Sequence, residues 1–197
     1  MARLLLVLIV ALTSIGATMP LSPLIERSIV RLEAPQGTYC TGFVIDTAKG
    51  YVLTADHCIQ GYPNPIINGL TAEEIFYVPQ LDIAVLKAPG VLGLPALKAR
   101  TKVWDEGMKI TFYGYAAGLE LKVIKGSVLL PLMLSPGIDT PSALMKPAIE
   151  KGMSGGPVLD SEGMVVAINQ KTFPGVGLAV GVPAPIIKAY VEDYWPD

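Results

Sequence analysis

The chain has 197 residues, 51% apolar and 16% charged, with a formal net charge of −2. That length holds one domain or two small lobes with a proper core. No basic run crosses it, so nucleic-acid binding lacks electrostatic support, and its glycine and proline content falls short of a disordered composition.

Met1-Ala2-Arg3 is a short positive start, Leu4 to Leu12 an unbroken apolar run, and Thr13 to Ala17 a small mixed segment. This pattern predicts a signal peptide over 1–17, cleaved after Gly16 or Ala17. A spanning helix needs about 20 apolar residues, more than this run supplies, so no stable membrane span is expected after cleavage. The mature chain is then secreted or periplasmic. Two cysteines, Cys40 and Cys58, are present. An even pair in an exported chain suggests a disulfide; two buried free thiols are the alternative. Two cysteines and one histidine do not make a four-ligand zinc set, and no cofactor is expected.

Strands are predicted at Ser28–Leu32, Thr38–Ile45 and Tyr51–Ala55, the last two as a hairpin around Asp46–Gly50. His57 follows at a strand end, where loops place reactive groups. Gly61–Asn68 reads as loop, Glu74–Val78 and Leu81–Lys87 as strands, and Pro89–Pro95 as a connector. Further strands are predicted at Met108–Tyr115, Leu119–Ile124, Gly126–Leu134, from Pro157 to Leu159, at Met164–Asn169 and at Val176–Val182. Pro185 opens a short helix with Ile186, Ile187, Tyr190, Val191 and Tyr194 on one face. Many short strands with glycine turns point to sheets or barrels and away from a parallel α/β fold.

Gly152-Met153-Ser154-Gly155-Gly156-Pro157 leaves one reactive side chain among glycines. Glycine allows close backbone approach, so Ser154 can present its hydroxyl beside backbone N–H groups. A serine alcohol needs a base. The nucleophile elbow of α/β-hydrolases takes its histidine from after the serine, and the one histidine here, His57, comes before. That leaves a base that precedes the nucleophile in the chain.

Thr54-Ala55-Asp56-His57-Cys58, Leu81-Asp82-Ile83-Ala84-Val85-Leu86 and the Ser154 segment resemble the three catalytic motifs of the chymotrypsin-like (trypsin-like) serine proteases. Met153 stands where the family has Asp. The second half is similar to compact bacterial HtrA-type proteases without a PDZ domain, through Ala148-Ile149-Glu150-Lys151-Gly152, Val166-Ala167-Ile168-Asn169 and Gly177-Leu178-Ala179-Val180. The resemblance implies an all-β fold of two antiparallel six-stranded β-barrels with a short C-terminal helix. Residues 18–95 would form the first lobe, with His57 and Asp82, and residues 96–197 the second, with Ser154. It implies a Cys40–Cys58 bridge and an oxyanion hole from the N–H groups of Gly152 and Ser154. The activity implied is endopeptidase action on protein or peptide substrates through an acyl-enzyme.

The resemblance also implies a specificity pocket at Ala148, Ile149 and Asn169. With no carboxylate at Ala148, cleavage after Lys or Arg is not expected, and a small or medium apolar side chain is preferred. Asp56 adjoins His57, but neighbours on an extended chain point apart, so Asp82 is the expected partner. The Ile-Val-Gly-Gly start used in trypsin-type activation is absent. The rival reading is a protease-like binding module that has lost activity, although no triad residue is substituted.

Overall fold

The computed structural model describes residues 21–34, 37–62, 64–102, 104–135 and 138–197. The predicted leader at 1–17 lies outside them. The front lobe begins with helix α1 (Leu21–Ser28), held by a bond from Ser28 Oγ to the Leu24 carbonyl at 2.9 Å and by burial of Ile25. Sequence alone marks Ser28 as the start of a strand. Leu21, Leu24 and Ile25 hold helical spacing, but two turns are too short a window for that period to be read, and the strand starts one residue later.

Strands β1 (Ile29–Ala34), β2 (Thr38–Asp46), β3 (Tyr51–Thr54), β4 (Ile66–Ile67), β5 (Leu70–Thr71), β6 (Glu73–Val78) and β7 (Ile83–Lys87) follow. They form one seven-stranded antiparallel sheet in the order β5-β4-β1-β2-β3-β7-β6. This corrects the expected first barrel. The sheet curls without closing among the described residues. Its edge pair β4 and β5 has two residues per strand, too few to carry a ladder around to β6.

The rear lobe is the expected six-stranded barrel. Strands β8 (Lys109–Ala116), β9 (Glu120–Ser135), β10 (Ile138–Lys146), β11 (Pro157–Leu159), β12 (Val165–Phe173) and β13 (Leu178–Pro183) close in the order β10-β13-β12-β11-β8-β9. The two segments expected around Gly126 are the single strand β9. A Cβ at Gly126 would come within 2.2 Å of the Lys146 carbonyl and 2.6 Å of the Phe112 ring. This glycine therefore serves a close strand approach and not a turn. Strand β10 is unmarked in the sequence because Pro141 interrupts it, and its pairing with β9 accommodates the interruption through register shifts. The expected strand at Val176 starts at Leu178, after a 3-10 turn over Pro174–Val176.

The C-terminal helix α2 (Ala184–Val191) forms as expected, one residue earlier. Ala184, Ile187 and Val191 face inward, while Tyr190 is exposed. Tyr190 thus leaves the predicted apolar face. The turn after α2 carries Trp195 into a core shared by both lobes: Phe43, Leu53 and Val85 from the front, Ile168 and Val182 from the rear. The Trp195 ring meets Phe43 edge-on at 5.8 Å, and its N–H donates to the Leu97 carbonyl at 2.8 Å. Tyr194 stacks on Phe76 at 5.2 Å. The tail of the chain is thereby a pin through the seam between the lobes.

Trp195→Ala is expected to cost about 3–5 kcal/mol through lost burial and a cavity. Trp195→Phe, which chiefly strands the Leu97 carbonyl, should cost about 1–3 kcal/mol. Urea unfolding of both variants measures the difference.

Candidate active site

His57 sits in a 3-10 turn, Asp56–Cys58, at the end of β3. The expected Cys40–Cys58 disulfide ties this turn back to β2 across a sequence separation of 18. Closing a loop of that size restricts the unfolded chain by roughly 3 kcal/mol. With both sulfurs in the bridge, the Cys40, His57 and Cys58 cluster is not a thiolate metal site.

Asp82 engages His57 twice. Its Oδ2 lies 2.7 Å from His57 Nδ1, and its Oδ1 accepts the His57 backbone N–H at 2.8 Å. The carboxylate thus fixes both the ring and the strand end that carries it. Asp82 reaches this position from a left-handed backbone at φ 51, after the 3-10 turn Pro79–Leu81. Aspartate is one of the few residues with a side chain that visits this region readily. The Asp82 carbonyl accepts the Asp56 N–H at 3.2 Å, and the Gln170 side-chain amide donates to the carbonyls of Leu81 at 2.6 Å and Asp82 at 3.4 Å. Asp56 does not hold the imidazole. Partial burial raises its pKa, the Asp82 charge adds to that, and His57 offsets part of it.

The Ser154 loop is built from the rear barrel and gripped by the front sheet. Met153 is fully buried beside Phe112, Met145 and Val158. Thr41 on β2 donates its N–H to the Ser154 carbonyl at 2.9 Å and its hydroxyl to the Gly152 carbonyl at 2.8 Å. The same hydroxyl accepts the Tyr115 N–H at 2.8 Å. This grip requires glycine at 155: at φ +79, an added Cβ would lie 2.2 Å from the Thr41 carbonyl and 2.3 Å from Thr54 Oγ1. Among the described residues, the N–H groups of Gly152 and Ser154 have no hydrogen-bond acceptor, whereas Met153 N–H donates to the Glu150 carbonyl at 3.2 Å.

The Ser154 hydroxyl donates to the Gln170 carbonyl at 3.3 Å. It has no hydrogen bond to His57 among the described residues. The Ser154 carbonyl oxygen lies 3.7 Å from Cys58 Sγ, which in turn is 3.8 Å from His57 Nε2. Cys58 Sγ thus lies between the Ser154 backbone and the imidazole, while the Ser154 hydroxyl is turned toward β12. Of the three residues singled out by sequence, His57 and Asp82 are in contact, and Ser154 adjoins them through Cys58 and Gln170.

Ala148 is half-buried, and Ile149 packs into the rear core while its N–H donates to Thr172 Oγ1 at 3.1 Å. Asn169 is fully buried, with both side-chain amide atoms unpartnered among the described residues. A cavity of about 450 Å³ is lined by His57, Asp82, Pro79, Gln170 and Lys171, and another of about 260 Å³ by Thr38, Tyr39, Lys151 and Gly152. Sequence reasoning missed Thr41 and Gln170. Each is an ordinary polar residue on a strand, and only the approach of the two lobes gives it work.

A family description, the trypsin-like peptidase domain, matches residues 40–168. A protein of Ectopseudomonas mendocina (strain ymp), described as a probable periplasmic serine endoprotease DegP-like, is 30% identical over 195 residues. The match covers 87% of this chain and 40% of that protein. The similarly described protein of Pseudomonas putida (strain F1) is 30% identical over 74% of this chain and 32% of its own length. The chain thus spans less than half of these curated relatives. Among solved structures, the active form of the Rv3671c protease from M. tuberculosis superposes with a TM-score of 0.74 at 23% identity, covering 90% of this chain and 85% of that one. The HtrA-type protease AlgW with tripeptide gives 0.73 at 22% identity, over 86% and 62%. At these identities the structures share the fold.

Thr41→Val should lower stability by about 1–3 kcal/mol, because it strands the Gly152 carbonyl and the Tyr115 N–H; urea unfolding reads it. Asp56 opposes folding when ionised. With its folded pKa raised above the usual 3.8, its stabilising contribution is complete below that value and disappears as pH rises through the folded pKa. Asp56→Asn, which stays neutral, should therefore melt higher than the parent at pH 7. That advantage should vanish near pH 3, as followed by thermal melts across the range.

Proposed function

The chain belongs to the trypsin-like peptidase family, and from that membership we propose that it is an exported serine endopeptidase acting through His57, Asp82 and Ser154. The observation that carries the reading is the doubly held His57–Asp82 pair beside a serine whose flanking backbone donors are unspent. In the proposed reaction a peptide entering the cleft draws the Ser154 hydroxyl away from the Gln170 carbonyl and toward His57 Nε2. Ser154 Oγ attacks the scissile carbonyl as the imidazole takes its proton, and Asp82 stabilises the imidazolium. The oxygen that becomes negative receives the N–H groups of Gly152 and Ser154, each worth roughly 3–4 kcal/mol in the barrier. His57 then protonates the leaving amine, leaving an ester on Ser154. Water, deprotonated by the same imidazole, hydrolyses the ester.

The lobes that meet at this cleft are assigned to residues 18–95 and 96–197, behind a leader at 1–17. Ala148, Ile149 and Asn169 are assigned to the primary specificity pocket, with a small or medium apolar preference. Export fits the relatives described as periplasmic. Burial of Met153 supports a loop ordered without a new N-terminus. One observation favours the alternative of an inactive binding module: the Ser154 hydroxyl rests on Gln170 and not on His57.

Labelling with a serine-directed organophosphate separates the two. An enzyme is expected to be labelled on Ser154, with labelling abolished in Ser154→Ala; an unlabelled, folded parent chain would establish the binding module. Asp82→Asn should lower kcat by about 10⁴, because it misplaces the imidazole tautomer. Peptide-library profiling should show small or medium apolar residues before the cleaved bond, and dominance of Lys or Arg there would refute the pocket assignment.

A further inference from the structure

Three lysines gather on the rear barrel without a carboxylate among them. In the ladders of β9, Lys109 on β8 and Lys146 on β10 both stand opposite Ser127, one from each side. Their backbones are therefore two strand spacings apart, about 9–10 Å, within joint reach of two lysine arms. Lys125 precedes Ser127 by two residues on β9 and shares its face. All three lysines are exposed, while Ser127 is buried between them. With Ser127, Pro147 and Gly177 they line a cavity of about 470 Å³.

Among the described residues none of these three ammonium groups has a salt bridge or hydrogen bond. Nearby Lys122, by contrast, is held by both oxygens of Glu150, at 2.8 and 3.0 Å. Like charges gathered on one face repel, though none of these three stands directly opposite another. Gathering three of them in a chain of net charge −2 is unfavourable until a ligand of opposite sign enters. Lysine suits phosphate as a mobile point charge without demanding a fixed fork geometry, and Ser127 adds a hydroxyl at the centre.

We propose that this cavity binds a multiply charged phosphate ligand between Lys109, Lys125 and Lys146. Its walls give the site a further role. Pro147 begins the segment that runs to Ser154, and Gly177 ends the turn between β12 and β13, so a bound anion braces both from behind. The bracing bears on catalysis only under the peptidase reading, whereas binding is independent of it.

The test is calorimetric titration of sodium tripolyphosphate into the full chain carrying Ser154→Ala, which removes self-digestion. Saturable binding to one site is expected, weakened at least about tenfold by Lys109→Gln with Lys146→Gln. Lys146→Arg should retain it, and Lys102→Gln, outside the cavity, should leave it unchanged. Amide exchange over residues 148–153 should slow on binding. A second arm uses cardiolipin vesicles, whose headgroup carries more than one phosphate charge: retention lost in the double variant assigns the phosphate to a lipid headgroup, while tripolyphosphate binding without retention assigns a soluble ligand. The proposal is overturned if neither probe binds, or if the double variant binds like its parent. Unchanged exchange with binding intact overturns the bracing and leaves the peptidase reading standing.

Discussion

One threonine carries the meeting of the two lobes. Thr41 gives its N–H to the Ser154 carbonyl and its hydroxyl to the Gly152 carbonyl, and the hydroxyl accepts the Tyr115 N–H. One hydroxyl is spent across the interface on Gly152 and Tyr115, and the backbone N–H of the same residue on Ser154, so both neighbours of Met153 are held. A buried polar group so placed is costly to disturb, since each partner left behind would be buried without water to replace it. The position of the serine loop is therefore set by the front sheet as much as by the barrel to which it belongs.

Gln170 makes the second crossing. Its backbone carbonyl holds the Ser154 hydroxyl, and its side chain holds the turn that presents Asp82. One residue of β12 thus touches both ends of the proposed catalytic set. The Trp195 pin and the shared apolar seam keep β12 and the front sheet at a fixed distance, so these bonds join surfaces already in register. A dense core transmits small displacements because it has no slack to absorb them.

Much of this was legible in the sequence, for physical reasons that also mark the limits. His57, Asp82 and Ser154 stand out because the family motifs that their segments resemble are short local stretches, and the Cys40–Cys58 bridge is a pairing of two cysteines only. The rear barrel reads well because its strands alternate or run apolar between glycines. Gly126 misleads, since the same residue permits a turn and a close crossing, and only the partner strand decides. Strand β10 is silent because Pro141 breaks the local signal while pairing across the barrel supplies the order. The open front sheet turns on how far two-residue strands can carry a ladder, which no local pattern encodes. Thr41 and Gln170 are invisible for the same reason: their roles belong to contacts 111 and 89 residues distant in sequence.

Met153 is uncharged, where the family carries an aspartate. Its side chain is sunk among Phe112, Met145 and Val158 while its neighbours on either side supply the unspent N–H groups. A loop moored by a hydrocarbon and sulfur arm has no ion pair to be screened by salt and no mooring proton to gain or lose. To the extent that Met153 sets it, the attitude of the loop is indifferent to acidity and ionic strength.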